Sequence, residues 1–153
     1  MLVVEPPLPR TRLDGAALLD ERDQTPVIGL TLRHDRIDSF WFTLLHELAH
    51  VIKHLKGQQE VYVDDTDQEA EADDKEVEAN QLAREALIPR AIWRRSDAYR
   101  FQTLEAIQEL AQQLEVHPAI IAGRLRRDTG NYRLFPRLIG QGKVRKLFLE
   151  TKW

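Results

Sequence analysis

The chain has 153 residues, 42% hydrophobic and 31% charged, enough for one domain with a sizeable core. No apolar run approaches the ~20 residues that span a bilayer, and the absence of cysteine excludes disulfides and thiolate ligands, so any metal site must be built from His, Asp and Glu. The net charge of −3 divides into −10 over residues 1–89 and +7 over residues 90–153, and the basic part is expected to be solvated or to pair within the fold rather than to face nucleic acid.

The first residues, Met1 to Pro7, carry neither a basic nor an apolar leader region, so a cytoplasmic location is expected. Leu2 to Val4, Leu13 to Leu19 and Val27 to Arg33 are rich in Val, Ile and Leu and are separated by Pro-rich and polar stretches; they predict strands. Polar His34-Asp35-Arg36 follows, and Asp38 or Ser39 is expected to cap a helix through the apolar run Phe40-Trp41-Phe42-Thr43-Leu44-Leu45. That helix is expected to stop near Gly57, with Lys53, His54 and Lys56 at the negative end of its dipole.

Val61 to Val63 predicts a brief strand. From Asp64 to Asp74 closely spaced carboxylates repel one another, which predicts a mobile loop and only weakly a Ca²⁺ or Mg²⁺ site. Helix is predicted again from about Asp73 to Ile88, with Val77, Ala79, Leu82, Ala83, Ala86 and Leu87 as its buried stripe and Pro89 as its stop. A helix over Leu104 to Leu114 and another from Pro118 complete the pattern, with His117 at the cap position.

The chemistry sits in His46-Glu47-Leu48-Ala49-His50. Residues four apart on a helix lie about one turn apart and point the same way, so both imidazoles reach one metal ion, while Glu47 stands beside the position of a metal-activated water. Burying two imidazoles and a carboxylate in so apolar a segment would cost several kcal/mol without partners, and a metal supplies one. A tetrahedral zinc then lacks a third protein ligand. Glu76 is the better candidate, because Asn80 follows on the same face and would hold the outer N–H of a ligating histidine; Glu78 is the alternative. His54, a further turn along, and His34, in a turn, are expected to be exposed.

Phe42-Thr43-Leu44-Leu45-His46-Glu47-Leu48-Ala49-His50 and Glu76-Val77-Glu78-Ala79-Asn80-Gln81-Leu82-Ala83-Arg84-Glu85-Ala86-Leu87-Ile88-Pro89 together resemble the ImmA/IrrE family of zinc metallopeptidases. The resemblance implies zinc on His46, His50 and Glu76, with Glu47 as the catalytic base. Weaker matches, from Val3-Val4-Glu5 and Leu13-Asp14-Gly15-Ala16 to His117–Arg124 and Gly130-Asn131-Tyr132-Arg133, look most like the peptidase-like half of long HigA-type antitoxins. Those regulators usually place an Xre-type helix-turn-helix in front. This sequence contains none, which is expected of either a fragment or a freestanding version acting on a separate repressor.

The expected architecture is α+β and gluzincin-like. A small, mostly antiparallel sheet packs on two zinc-site helices, with a metallopeptidase-like core over residues 1–100 and a helical, helix-turn-helix-like C-terminal part over 101–153. The expected function is zinc-dependent endopeptidase cleavage of a regulatory protein such as a helix-turn-helix repressor, which would link the protein to DNA only indirectly. His117, Tyr132, Arg124 and Tyr62 are the candidate donors to the developing oxyanion. The competing reading is a non-hydrolytic regulatory or antitoxin module that binds a toxin or repressor and keeps the metal for structure or sensing. A third reading takes Leu104 to Asp128 as a DNA-binding helix pair whose second helix presents Arg124, Arg126 and Arg127.

Overall fold

The computed structural model describes residues 1–7, 9–55, 62–64, 74–148 and 151. Strands β1 (Leu2–Val4), β2 (Gly15–Leu19), β3 (Pro26–Leu30) and β4 (Tyr62–Asp64) form one sheet in the order β1-β3-β2-β4. β2 and β3 make an antiparallel hairpin with Gly15 opposite Leu30 and Leu19 opposite Pro26. Its turn is held by the Asp20 and Asp23 carboxylates, which accept from the N–H groups of Arg22 and Thr25 at 2.8 and 3.0 Å. β4 runs antiparallel to β2, whereas β1 pairs parallel to β3. The fold is α+β, with a mixed sheet in which the antiparallel pairings predominate.

Two strands are shorter than their sequences suggest. Residues 31–33 leave the sheet through Leu32, whose φ is +47°. The Thr31 hydroxyl donates to the Leu13 carbonyl at 2.6 Å, and Arg33 grips Asp14 with two bonds of 2.8 and 2.9 Å. Apolar composition alone would have continued both strands. The buried Asp14 carboxylate needs a cation, and satisfying it turns the chain toward the first helix.

That helix, α1 (Ile37–Lys53), begins one residue before the expected cap: Arg36 holds the cap position without a side-chain bond, and Asp38 lies in the first turn, paired with the Arg36 guanidinium at 2.6 and 2.9 Å. It ends before Gly57, which lies outside the described residues with Lys56 and residues 65–73 of the expected acidic loop, whose first residue, Asp64, instead ends β4 and whose last, Asp74, opens the next helix. Ile37, Phe40, Leu44 and Val51, at helical spacing, pack on the sheet's Ile28 and Leu30 and on Leu32, Val144 and Phe148. A different face of α1 packs on α2 (Asp74–Leu87).

The buried stripe of α2 is narrower than expected, because Ala79 and Ala83 are buried while Val77, Leu82 and Ala86 are exposed. The face toward α1 is the one that carries Glu76, and small alanines there let the two backbones approach. Beyond Pro89, which stops α2 but caps a new turn, two unanticipated short helices follow, α3 (Arg90–Arg95) and α4 (Asp97–Phe101), the latter capped by the Ser96 hydroxyl. With α5 (Leu104–Gln113) and α6 (Pro118–Thr129) they enclose a second core of Ile88, Trp93, Ile107, Leu110, Ile121 and Leu125. This cluster draws on residues from both sides of position 100. Among the described residues no helix is long and apolar enough to cross a membrane.

Candidate metal centre

His46 and His50 project from α1 toward Glu76 at the start of α2. Their Nε2 atoms are 3.0 Å apart, and the Glu76 carboxylate reaches both, Oε2 to His46 and Oε1 to His50, each at 3.2 Å. Ligands at the corners of a tetrahedral zinc site with bonds of about 2.0–2.1 Å are separated by about 3.3 Å. The three donors therefore already stand at close to ligand spacing, and they are the group among the described residues whose His and carboxylate donors converge closely enough to hold an ion. Both histidines are buried, while the Glu76 side chain keeps 24% of its surface, so the centre opens on the α2 side.

Glu47 is fully buried. Its carboxylate lies against β2 at Gly15, where a Cβ would come within 2.2 Å of Oε1 and 2.8 Å of Cδ. The absence of a side chain at Gly15 is what makes room for the carboxylate one residue along from His46.

Around the ligands is an arrangement not anticipated from the sequence. His54, expected to be exposed, is buried: its Nδ1 is 2.9 Å from Nδ1 of His50, and its Nε2 is 3.1 Å from Oε2 of Glu78. The i, i+4 spacing that pairs His46 with His50 simply repeats, a signal available in the sequence. The outer nitrogen of His50 is met by His54, and Glu78, the alternative ligand, bonds His54. Tyr62 on β4 stacks on the His50 ring with centroids 4.6 Å apart, and its hydroxyl accepts from Lys75 at 2.5 Å.

The remaining candidates lie elsewhere. His117 caps α6, its Nδ1 accepting from the Ala119 N–H at 3.0 Å. Arg124 is paired with Asp128 and lies over the Trp93 ring; Arg126 is buried and donates to the Tyr132 carbonyl; Arg127 lies 4.4 Å over Phe42. Burial first, and then the neighbouring Arg36, pulls the Arg126 guanidinium below its ordinary pKa, against the opposing pull of Asp38 and Tyr132. His34, expected to be exposed, is half-buried in a cleft of about 110 Å³ that also includes Phe42, Arg84, Arg127 and Tyr132. Phe42 leans on His46 with ring centroids 6.1 Å apart, so this cleft adjoins the centre.

Compared with known protein families, residues 1–126 match the model Peptidase_M78, described as the IrrE N-terminal-like domain. No curated protein matches the chain.

Proposed function

This chain belongs to the IrrE N-terminal-like domain family, and on that premise we propose that it is a zinc-dependent endopeptidase that cleaves a regulatory protein such as a helix-turn-helix repressor. The observation that carries the reading is the convergence of His46, His50 and Glu76 within 3.2 Å, with a buried Glu47 next to them in the helix. Two imidazoles and one carboxylate, without thiolate, form the donor set of a catalytic rather than a structural zinc, because they leave a position open. Zinc held there supplies Lewis acidity and acidifies the attacking water.

The protein's own groups do the rest. Glu47 takes the proton of the water that attacks the peptide carbonyl and returns it to the leaving amine. Burial suits that role: a carboxylate walled in by β2 and α1 cannot swing away from the reacting atoms. Among the described residues β4 is a sheet edge beside the centre, with Tyr62 against His50, so an extended substrate segment can add to it by main-chain hydrogen bonds and pass the ligands. Of the four candidate oxyanion donors, Tyr62 touches the centre, and its bond to the Lys75 ammonium polarises its hydroxyl.

The test pairs metal content with cleavage of a co-encoded repressor. Glu47→Gln should keep zinc and lose cleavage, whereas His46→Ala should lose both. If wild type and Glu47→Gln bind zinc equally and neither cleaves, while both bind the regulator, the non-hydrolytic module is the right reading.

A further inference from the structure

We infer that His54 and Glu78 are positioning residues that set the tautomer of His50, so that its Nε2 lone pair faces the metal before the metal arrives. The inference rests on the reading that His46, His50 and Glu76 hold the ion.

Protons can be counted along one line of atoms. A carboxylate only accepts hydrogen bonds, so the 3.1 Å contact between Glu78 Oε2 and His54 Nε2 requires the proton on Nε2 of His54. A neutral imidazole with its proton on Nε2 offers Nδ1 as an acceptor. With His54 neutral, the 2.9 Å contact between the two Nδ1 atoms requires His50 to donate, so its proton sits on Nδ1 and its Nε2 carries none. That deprotonated nitrogen is the atom 3.0 Å from His46 Nε2 and 3.2 Å from Glu76 Oε1. Each link fixes the next, and the series begins with one carboxylate on α2. Glu76 and Glu78 thus act on the same imidazole from opposite sides, one beside the metal-facing nitrogen and the other through His54 on the outer nitrogen.

Burial gives the line its force. In water an imidazole exchanges tautomers freely, but His50 and His54 are both buried, their rings tilted at 58° with centroids 4.9 Å apart and flanked by Tyr62. An outer partner that fixes ring orientation and tautomer typically changes metal affinity about 10–100-fold. Neither His54 nor Glu78 is a ligand of the expected ion, and His54 meets β4 through the Tyr62 ring, so their effect should appear first in zinc affinity.

The experiment measures zinc affinity by competition with a chromophoric chelator, and the His50 tautomer by imidazole ¹⁵N NMR of the metal-free protein. Half of the Glu78 side-chain surface is exposed, 52%, so variants there should fold. Glu78→Ala should weaken zinc binding about 10–100-fold and transfer part of the His50 population to the Nε2–H form. Glu78→Gln retains a carbonyl acceptor and should stay within a few-fold of wild type. His54→Leu should behave like Glu78→Ala, and His54→Gln, which restores an acceptor for His50, should recover most of the affinity. Equal losses in Glu78→Ala and Glu78→Gln would reduce the effect to lost charge and overturn the inference, as would an unchanged His50 tautomer in His54→Leu. If wild type itself binds no zinc, the metal centre falls and the inference with it; if wild type binds and cleaves while all four variants bind as tightly, only the inference falls.

Discussion

Gly15→Ala tests the packing behind Glu47. Gly15 has no left-handed backbone angle, so replacing it with alanine should on backbone grounds stabilise the fold by ~0.4–1 kcal/mol through the unfolded chain. Packing acts in the opposite direction. The added methyl would sit 2.2 Å from Glu47 Oε1, 2.8 Å from its Cδ and 2.8 Å from Thr43 Cγ2, against an ordinary contact of about 3.5 Å. The carboxylate has to retreat by about 1 Å into a fully packed surrounding, and such overpacking costs ~1–3 kcal/mol. Overpacking outweighs the backbone gain, so urea unfolding of the metal-free protein should show a net loss of about 1–2 kcal/mol. Most of that loss should disappear in a Glu47→Ala background, where only the Thr43 contact remains, giving a coupling of ~1 kcal/mol or more against the roughly 0.3–0.5 kcal/mol scatter of independent sites. Zinc content should not change, because Glu47 is not a ligand, but cleavage should fall by about 10²-fold, the usual cost of a 1 Å misplacement. A Gly15→Ala protein more stable than wild type, or strict additivity with Glu47→Ala, would refute the account.

Two further substitutions probe the frame around the centre. Asp35 Oδ1 accepts from the N–H groups of Val144 and Arg145 at 2.9 and 3.0 Å; Asp35→Ala should cost ~1–3 kcal/mol and speed tryptic cutting at Arg145 and Lys146, and unchanged digestion would show that other contacts hold this segment. Gly123 on α6 meets α1, where a Cβ would lie 2.6 Å from both Cβ and Oδ2 of Asp38. Helix propensity predicts that Gly123→Ala gains about 1 kcal/mol; the collision should reverse that sign, and a raised melting temperature would show that α1 and α6 can part at little cost.

What the sequence disclosed was local. The spacing of His46 and His50, the start of α6 at Pro118 and the helical periods of α1 and α5 depend on neighbours within a turn or two, and all are recognisable in the chain order. What stayed hidden depends on residues far apart. Gly15 is 32 positions from the Glu47 that it accommodates, and nothing in its own surroundings announces this. The strands over 13–19 and 27–33 look longer than they are because Asp14 and Arg33 find each other across the hairpin. Val77 and Leu82 look like core and lie on the surface, because the face of α2 is chosen by what α1 needs opposite it, a carboxylate and small residues. His54 is different in kind: its signal was present as a third step of the same i, i+4 series, but a ligand search counts only groups that can reach the ion.

The basic C-terminal part shows how charge that looks available can already be committed. Reading DNA with α6 requires Arg124, Arg126 and Arg127 to reach phosphates from one open face, each contact adding to the salt dependence of binding. Instead, Arg124 is clamped by Asp128 at 2.9 and 3.0 Å, and Arg126 is buried with its guanidinium on the Tyr132 carbonyl. Arg127 covers Phe42, whose ring in turn leans on His46. Removing Arg126 from that site to meet a phosphate would leave the Tyr132 carbonyl without this donor and open the joint between α6 and the start of α1. The same contacts that oppose a nucleic-acid role pack α6 against α1, where Arg127 lies over Phe42 and Phe42 leans on His46. The charge of α6 is thus committed within the fold, with Arg127 holding Phe42 against His46 and with Arg124 and Arg126 bonded to Asp128 and Tyr132.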